Sequence, residues 1–556
     1  MRALAAHPLA ALALLVLLAA AVEFGGAGVL RPTARRFDDL LLRLHAADAR
    51  PDRAIVIVDI DERSLELMAP SAGRYPWPRS VPAELIEGIE RQHPRAVVFD
   101  VLFSDPDADH PDGDAYLGEV AARYDNLFFP LLRLPPGQDP RGVDLDRFGG
   151  VLGFSRTGEG AAGARAALLL PYPAIAATGR LGAINFSEDG DGVGRRYRTR
   201  FDAGPWHIPS LPAKVASALG YALPPGAQMR LNWRGPALTF PRVSFVDIYQ
   251  DIQRRRPRRA ADEFKDKIVL VGSTAAGLHD LRATPVGSLF PAVEIVATAL
   301  DNLKHGDWLR PPPPGLGPAL TLLFVGALYL AFVRLGNPVR AGLVLLVATP
   351  LAVGASYAGL SLNRLWPVFT PLAFAWLYYV PASLLSYLGE RRARRRSIAL
   401  FGRFLDPRVV RELVAGGIPQ TALKGESREV TVLFSDIRGF TTLSERHSAE
   451  EVVGLLNDYF SRQVKVIFRH GGTIDKFIGD AIMAFWGAPL SDPAQARNAV
   501  AAGLEMVEEL KAFRRTLGER GIAFDIGIGV HTGTAVVGFV GAENRLDYTA
   551  IGDTVN

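Results

Sequence analysis

Four long apolar runs divide an otherwise mixed sequence. The first extends from about Leu9 to Leu30 and is interrupted by Glu23 and by the Gly25–Gly26 pair. The other three, about Gly317–Leu335, Val339–Leu360 and Leu365–Leu388, are stronger, with charge only near an end of the first two. Each is near the roughly 20 residues needed to cross ~30 Å of hydrocarbon. Three such runs in succession, joined only by short loops, are not the pattern of buried helices in one soluble core. They predict membrane spans. The last run carries Trp366, Trp376, Tyr378, Tyr379 and Tyr387, several near its ends, as interfacial aromatic belts do. The first run is short in strictly apolar residues, and its Ala19-Ala20-Ala21 stretch also fits a signal peptide. We expect it to be a retained span.

Positive charge orients these spans. Arg334 and Arg340 bracket the loop between the second and third runs, and Arg391, Arg392, Arg394, Arg395 and Arg396 follow the fourth. Both places are expected to be cytoplasmic, which puts the loop Ser361–Arg364 outside. Counting back, residues 31–310 lie outside the cytoplasm and the N-terminus, with Arg2, lies inside. The expectation is a multi-pass protein of the cell (inner) membrane, with four spans whose number and charge pattern agree.

Between the first and second runs the pattern changes to short β-branched stretches. Residues 53–61, from Arg53 through Ile-Val-Ile-Val to Asp61, and 96–103, Ala-Val-Val-Phe-Asp-Val-Leu-Phe, read as buried parallel strands. Val81–Gln92 between them has helical spacing. Lys267–Gly272 reads as a third strand and Val293–Lys304 as the helix after it. Strand–helix–strand order argues for an α/β domain with a mainly parallel sheet. Pro311–Pro314 is a rigid stop before the membrane. The Gly190-Asp-Gly-Val-Gly194 run is read as a turn and not a phosphate loop, because no helix start with dinucleotide-binding spacing follows.

Tyr75-Pro-Trp-Pro-Arg-Ser80, Arg95–Ser104, Lys267-Ile-Val-Leu-Val-Gly-Ser-Thr274, Asp280 and Pro291-Ala-Val-Glu294 together resemble the extracellular CHASE sensor domain of the second type, over about residues 35–310. Domains of that family sit between one N-terminal span and three later ones. The resemblance implies reception of an extracytoplasmic signal, whose identity the residues do not state.

Composition narrows the chemistry. The 556 residues suffice for two or three domains. The formal net charge is only +4. The densest basic cluster follows an apolar run directly, so it flanks a membrane, and no nucleic-acid partner is expected. There is no cysteine, hence neither a disulfide framework nor a thiolate zinc site, and the ten histidines show no metal-ligand spacing.

From Arg428 a different pattern begins. Arg428–Asp436 is a strand ending in a carboxylate, and Ser448–His470 is an amphipathic helix. Gly472–Gly479 and Ala481–Gly487 form a hairpin turning at Gly479–Asp480; Pro493–Leu517 is a second helix and Phe524–His531 a fourth strand. The order βαββαβ is the ferredoxin-like split unit, an α+β domain. In that arrangement Asp436 and Asp480 fall at one edge. Two converging carboxylates repel unless cations lie between them, and oxygen ligands with few protein partners suit magnesium. Gly439, in the Ile-Arg-Gly-Phe-Thr stretch after Asp436, allows a backbone nest for an anion, formed with Phe440 and Thr441. No Walker motif occurs.

Phe434-Ser-Asp-Ile-Arg-Gly-Phe-Thr441, Asp475-Lys-Phe-Ile-Gly-Asp-Ala-Ile-Met-Ala-Phe-Trp486 and Asp547-Tyr-Thr-Ala-Ile-Gly-Asp-Thr-Val-Asn556 resemble the class III nucleotide cyclases, in family order. Ser397–Val410 is similar to the helical segment that precedes the cyclase in membrane-bound members, and Ser397–Gly416 is expected to couple signal to catalysis. The resemblance implies a membrane-bound adenylate cyclase using ATP, with two Mg2+ or Mn2+ ions per site. Asp436, Asp480 and the Ile437 carbonyl match the metal ligands, and Gly439, Phe440 and Thr441 the phosphate turn. Lys476 and Thr549 match the purine-selecting pair, and Asn556 the asparagine that orients the ribose or the reacting centre. A homodimer is implied, since the family divides these groups between two copies. The family's transition-state arginine lies four residues past that asparagine and a phosphate-binding lysine further on. We expect the sequence to be truncated before them.

The expected organisation is residues 1–30 a first span, 31–310 the sensor, 317–388 three spans, 389–427 a basic run and coupling helix, and 428–556 the cyclase. Alternatives are a guanylate cyclase, which would carry an acidic residue in place of Lys476, and a membrane receptor whose cyclase domain is inactive and only dimerises. A diguanylate cyclase would need a Gly-Gly-Asp/Glu-Glu-Phe turn where this chain has Ile-Gly-Asp-Ala.

Overall fold

The computed structural model describes residues 8–158, 163–278, 280–401, 425–518, 524–542 and 545–556. Most of the expected coupling segment Ser397–Gly416 therefore lies outside the described residues. The chain divides into two units, Met1–Ser383 and Leu384–Asn556.

The first unit opens with helix α1 (Pro8–Val22), which runs into a π-helical turn, Glu23–Ala27. Glu23, the charge that interrupts the first apolar run, is 7% exposed. Its carboxylate accepts hydrogen bonds from the N–H groups of Val29 (2.7 Å) and Leu30 (2.9 Å), where helix α2 (Arg31–Asp48) begins. It serves the orphan donors of a helix start.

The sensor region is built around one sheet. Strand β1 (Ile55–Ile60) is followed by helix α3 (Ser80–Glu90), β2 (Ala96–Phe99), β3 (Leu127–Arg133), β4 (Leu181–Ala183), helix α4 (Leu211–Ala218), β5 (Arg242–Ser244), β6 (Ile268–Ser273) and helix α5 (Ala292–His305). The strands lie in the order β5-β1-β6-β2-β3, with β4 also on β3, and every one of these pairings is parallel. The cause is visible in β1. Val56, Val58 and Ile60 join a core with α3 through Val81, Leu85, Ile86 and Ile89. Ile55 and Ile57 join a second core with α4 and α5 through Leu211, Val215, Val296 and Leu300. Strand side chains alternate between faces, so the stretch Ile55–Val58, apolar at every position, needs cover on both. Gly190 and Asp191, in the Gly190–Gly194 run expected to turn, lie in a turn closed by Gly192 N–H to Asp189 O at 2.8 Å.

One polar network is locked into this unit. The Arg234 guanidinium, 9% exposed, donates to Asp301 Oδ1 at 2.8 Å and to Asp307 Oδ2 at 2.5 Å, and the Asp301 side chain is 1% exposed. Removing one partner of a buried ion pair leaves an uncompensated charge. Arg234→Ala should cost the sensor region about 3–5 kcal/mol, read as a lowered melting transition of the purified protein, whereas Arg63→Ala, on an exposed pair with Asp247, should change it little.

Helices α6 (Leu316–Leu335), α7 (Pro338–Leu360) and α8 (Phe369–Phe401) follow. The fourth apolar run becomes helical only at Phe369, four residues later than its apolar start at Leu365, because Pro367 restricts the residue before it to extended backbone. Among the described residues four helices are long and apolar enough to cross a membrane: Pro8–Ala27, Leu316–Leu335, Pro338–Leu360 and Phe369–Arg392. Ala13, Val16 and Ala20 of α1 share one cluster with Val325, Leu328 and Phe332 of α6, Ala341 and Leu345 of α7, and Ala375, Tyr378 and Ala382 of α8. Small residues at such contacts let backbones approach closely.

In the second unit, strand β7 (Glu426–Arg438) leads through a short helix α9 (Phe440–Arg446) to α10 (Ala449–Arg469), then β8 (Thr473–Ile478), β9 (Ala481–Trp486), α11 (Gln495–Leu517), β10 (Asp525–Ala542) and β11 (Arg545–Ile551). The sheet order is β8-β9-β7-β10-β11, antiparallel throughout. One face is covered by α10 and α11, where Leu433, Ile482, Ala484 and Trp486 meet Leu455, Val466, Ala499 and Met506. On the other face Val430, Val432, Met483 and Phe485 meet Ala535, Val537 and Ala550. The fourth strand is longer than its apolar start suggested: β10 pairs with the whole of β7 and then, from Val536, with β11.

Candidate active site

Strand β7 carries Asp436 outward between two buried neighbours, Ser435 at 0% and Ile437 at 3% exposure. The β8–β9 turn carries Asp480, where Gly479 takes φ +61°, a left-handed conformation that suits glycine in a two-residue hairpin turn. The two carboxylates meet. Burial pushes the Asp480 carboxyl up from the ordinary aspartate range and the Asp436 charge adds to the rise, while Asp480's own N–H and then the Ile437 N–H, which favour the charged form, only partly offset them. Behind them Tyr459 of α10 is fully buried and hydrogen-bonded to the Ser435 hydroxyl at 3.2 Å. Burial, with both aspartates adding to it, pushes its phenol up to about 12. A carboxyl raised by burial and by a neighbouring carboxylate, beside a phenol raised by both, marks an edge short of positive charge. That is the fit expected of a cation site. Among the described residues no group of three or more His, Cys, Asp and Glu side chains converges, so oxygen donors beyond this pair would come from backbone, substrate and water.

After β7 the chain turns at Gly439, φ +75°, into α9. The turn sets Phe440 against the helix-side core and leaves Thr441 exposed. The first N–H groups of such a turn have no intrahelical acceptor.

Lys476 and Thr549 form a second grouping through a residue that sequence reading passed over. Thr549 donates its hydroxyl to Asp475 Oδ2 at 2.7 Å, the Ala550 N–H donates to the same oxygen at 3.2 Å, and Lys476 Nζ stands 3.3 Å from Asp475 Oδ1. The Asp475 side chain is 0% exposed and that of Lys476 41%. The available signal was an acidic residue directly before Lys476 in a strand, where a buried carboxylate requires partners. No hydrogen bond or ion pair among the described residues joins this grouping to Asp436 and Asp480. Asn556 is exposed, just after a turn closed by Val555 N–H to Gly552 O at 2.9 Å.

Residues 10–331 match the family model of the CHASE2 domain, and residues 423–556 that of the adenylate and guanylate cyclase catalytic domain. The chain belongs to the CHASE2 family. Its C-terminal part carries an adenylate and guanylate cyclase catalytic domain. Over 179 residues this CHASE2 protein is 46% identical to adenylate cyclase 1 of Rhizobium meliloti, covering 32% of this chain and 26% of the relative. It is 38% identical over 168 residues to an adenylate cyclase of Anabaena cylindrica, covering 29% and 32%. The chain thus spans about a third or less of these curated relatives. Among solved structures, the adenylyl cyclase CyaB of P. aeruginosa is 43% identical over 24% of this chain and 70% of that one, with a TM-score of 0.24. The guanylyl cyclase Cya2 is 45% identical over 24% and 67%, with a TM-score of 0.23.

Proposed function

We propose that this CHASE2 protein is a membrane-bound adenylate cyclase that converts ATP to 3',5'-cyclic AMP and pyrophosphate, works as a homodimer, and is regulated by its extracytoplasmic region. The convergence of Asp436 and Asp480 at one edge of the sheet carries the reading. Asp436, Asp480 and the Ile437 backbone would hold two Mg2+ or Mn2+ ions, which supply Lewis-acid stabilisation of charge on the transferring phosphate. Gly439, Phe440 and Thr441 receive the triphosphate at the exposed turn. Lys476 and Thr549 read the purine, and Asn556 orients the ribose. The 3'-hydroxyl oxygen bonds to the α-phosphorus, its proton is lost, and the bond from that phosphorus to pyrophosphate breaks. The antiparallel order β8-β9-β7-β10 supports reading the domain as a ferredoxin-like split unit.

The purine assignment has a direct test. Lys476 offers a donor, which suits the N1 acceptor of adenine and opposes the N1–H of guanine. In membranes bearing the full-length protein, ATP should be the better substrate, and Lys476→Glu with Thr549→Cys should shift relative use toward GTP by about tenfold or more, because an unpaired base edge is costly. Unchanged preference in the double variant would remove these positions from base reading.

The expected division into 1–30, 31–310, 317–388, 389–427 and 428–556 is proposed on the four candidate spans, and packing of α1 against the other three supports a retained first span. Alkaline phosphatase fused after Asp202 should be active and green fluorescent protein there dark. Fusions after Ser397 should behave in the opposite way, following the Arg334/Arg340 loop and the arginine run. An active phosphatase after Ser397 would sink the four-span arrangement.

A further inference from the structure

Asp475 occupies its place only because a strand breaks its alternation. Consecutive strand side chains point to opposite faces, so Asp475 and Lys476 would ordinarily be separated. The register of β8 against β9 shifts between Ile474 and Lys476, and an irregularity of this kind re-aims side chains. Asp475 is thereby buried while Lys476 keeps contact with it. The partner Thr549 comes from β11, which stands at the opposite edge of the sheet from β8. They meet because the β10–β11 hairpin folds over the sheet face: Tyr548 lies 6.1 Å from Phe485, ring to ring, and Ala550 packs with Met483 and Phe485.

A threonine hydroxyl has one proton to give and two lone pairs to accept with, and by itself it suits either kind of partner. Here the choice is made. Asp475 Oδ2 receives both the Thr549 hydroxyl and the Ala550 N–H, and Oδ1 faces the Lys476 ammonium. An oxygen with two donors aimed at it holds the hydroxyl proton in place. Thr549 is only 5% exposed, so little water competes to turn it.

We propose that Asp475 fixes the Thr549 hydroxyl as an acceptor and thereby makes the pocket select a purine with an amino group, not an oxo group, at position 6. The inference rests on the assignment of Lys476 and Thr549 to the purine. Lys476 then presents a donor and Thr549 an acceptor, the complement of adenine's ring nitrogen and amino group. A 6-oxo purine meets both with the wrong polarity: N–H against ammonium, carbonyl oxygen against lone pairs. Without Asp475 the hydroxyl could rotate and donate to the oxo group, and Lys476 would discriminate alone. Asp475 touches no substrate and is a positioning residue.

Two nucleotides of nearly equal shape isolate this effect in the full-length protein. N6-methyladenosine triphosphate and 6-methoxypurine riboside triphosphate share the ring-nitrogen acceptor and the methyl group, and differ in having a donor or an acceptor at position 6. The first should bind about tenfold or more tighter in competition with a fluorescent ATP analogue, the scale of leaving a buried polar group unpaired. Equal affinities would overturn the proposal without any variant. Asp475→Ala, which leaves the Thr549 hydroxyl no carboxylate to donate to, should bring the ratio toward one. In a Thr549→Val background the same change should leave the ratio alone. A folded Asp475→Ala protein with an undiminished ratio would also overturn it. A protein that prefers GTP to ATP before any change would defeat the adenylate reading instead. ATP preference with an analogue ratio of one defeats only the role of Asp475.

Discussion

Alanine at Asp436 or at Asp480 is expected to lower cyclic AMP formation by about 10²–10³ or more, the scale on which removing a group that stabilises developing charge acts on kcat. Each substitution deletes half of this carboxylate pair, and among the described residues no third acid or histidine converges with it. Abundance and melting temperature should not fall in parallel. The Asp480 carboxyl is raised above its ordinary value, by burial first and by Asp436 as well. A carboxyl whose folded pKa is raised favours the fold when protonated and opposes it when ionised. Near neutral pH its charge is therefore a cost to the metal-free fold, and deleting it relieves repulsion. Catalysis lost with stability retained is the signature to look for, in a product assay and a melting curve on the same preparation. Loss of both together would mean that these aspartates hold the core. Near-normal turnover by either variant would remove the cation site from the mechanism.

This outcome is legible in the sequence because the features that place both aspartates are local. The strand that carries Asp436 is marked by the largely apolar stretch Val430–Phe434, although it runs on to Arg438, the hairpin is marked by Gly479, and the βαββαβ order brings that part of the strand beside the turn. The sensor sheet is legible for a similar reason: runs apolar at every position, such as Ile55–Val58, need cover on both faces. What escaped is non-local. The length of β10 depends on pairing with the whole of β7 and then with β11, and nothing in residues 532–542 shows that by periodicity. Asp475 looked like an ordinary charge next to Lys476. Its burial depends on a register shift in β8 and on a hairpin folding across the sheet from the other edge, two tertiary facts that no window of sequence contains. Glu23 is the converse case. Charge in an apolar run weakened the expectation of a span, but the carboxylate is consumed by the N–H groups of Val29 and Leu30 at the start of α2, which makes it compatible with the helix it interrupts.

Mixing two inactive variants is expected to restore activity, and the expectation is quantitative. If Asp436 and Asp480 act with Lys476, Thr549 and Asn556 of a second copy, one chain cannot assemble a site and a symmetric dimer assembles two. Within one chain Asp436 and Asp480 form one grouping and Asp475, Lys476 and Thr549 another. Asp436→Ala and Asn556→Ala homodimers should each be nearly inactive, since both of their sites lack one essential group. Random pairing of equal amounts makes half the dimers mixed. In a mixed dimer one site carries both changes and the other carries neither, so co-expression should recover about a quarter of the unmutated rate. The number separates this arrangement from its rivals. If each chain held a whole site, every site would carry one change and the mixture would stay as inactive as its parts. A receptor whose cyclase domain only dimerises would form the same mixed dimers and gain nothing. Dimer formation measured on the same sample, by two differently tagged chains copurifying, makes an inactive mixture decisive against the shared site.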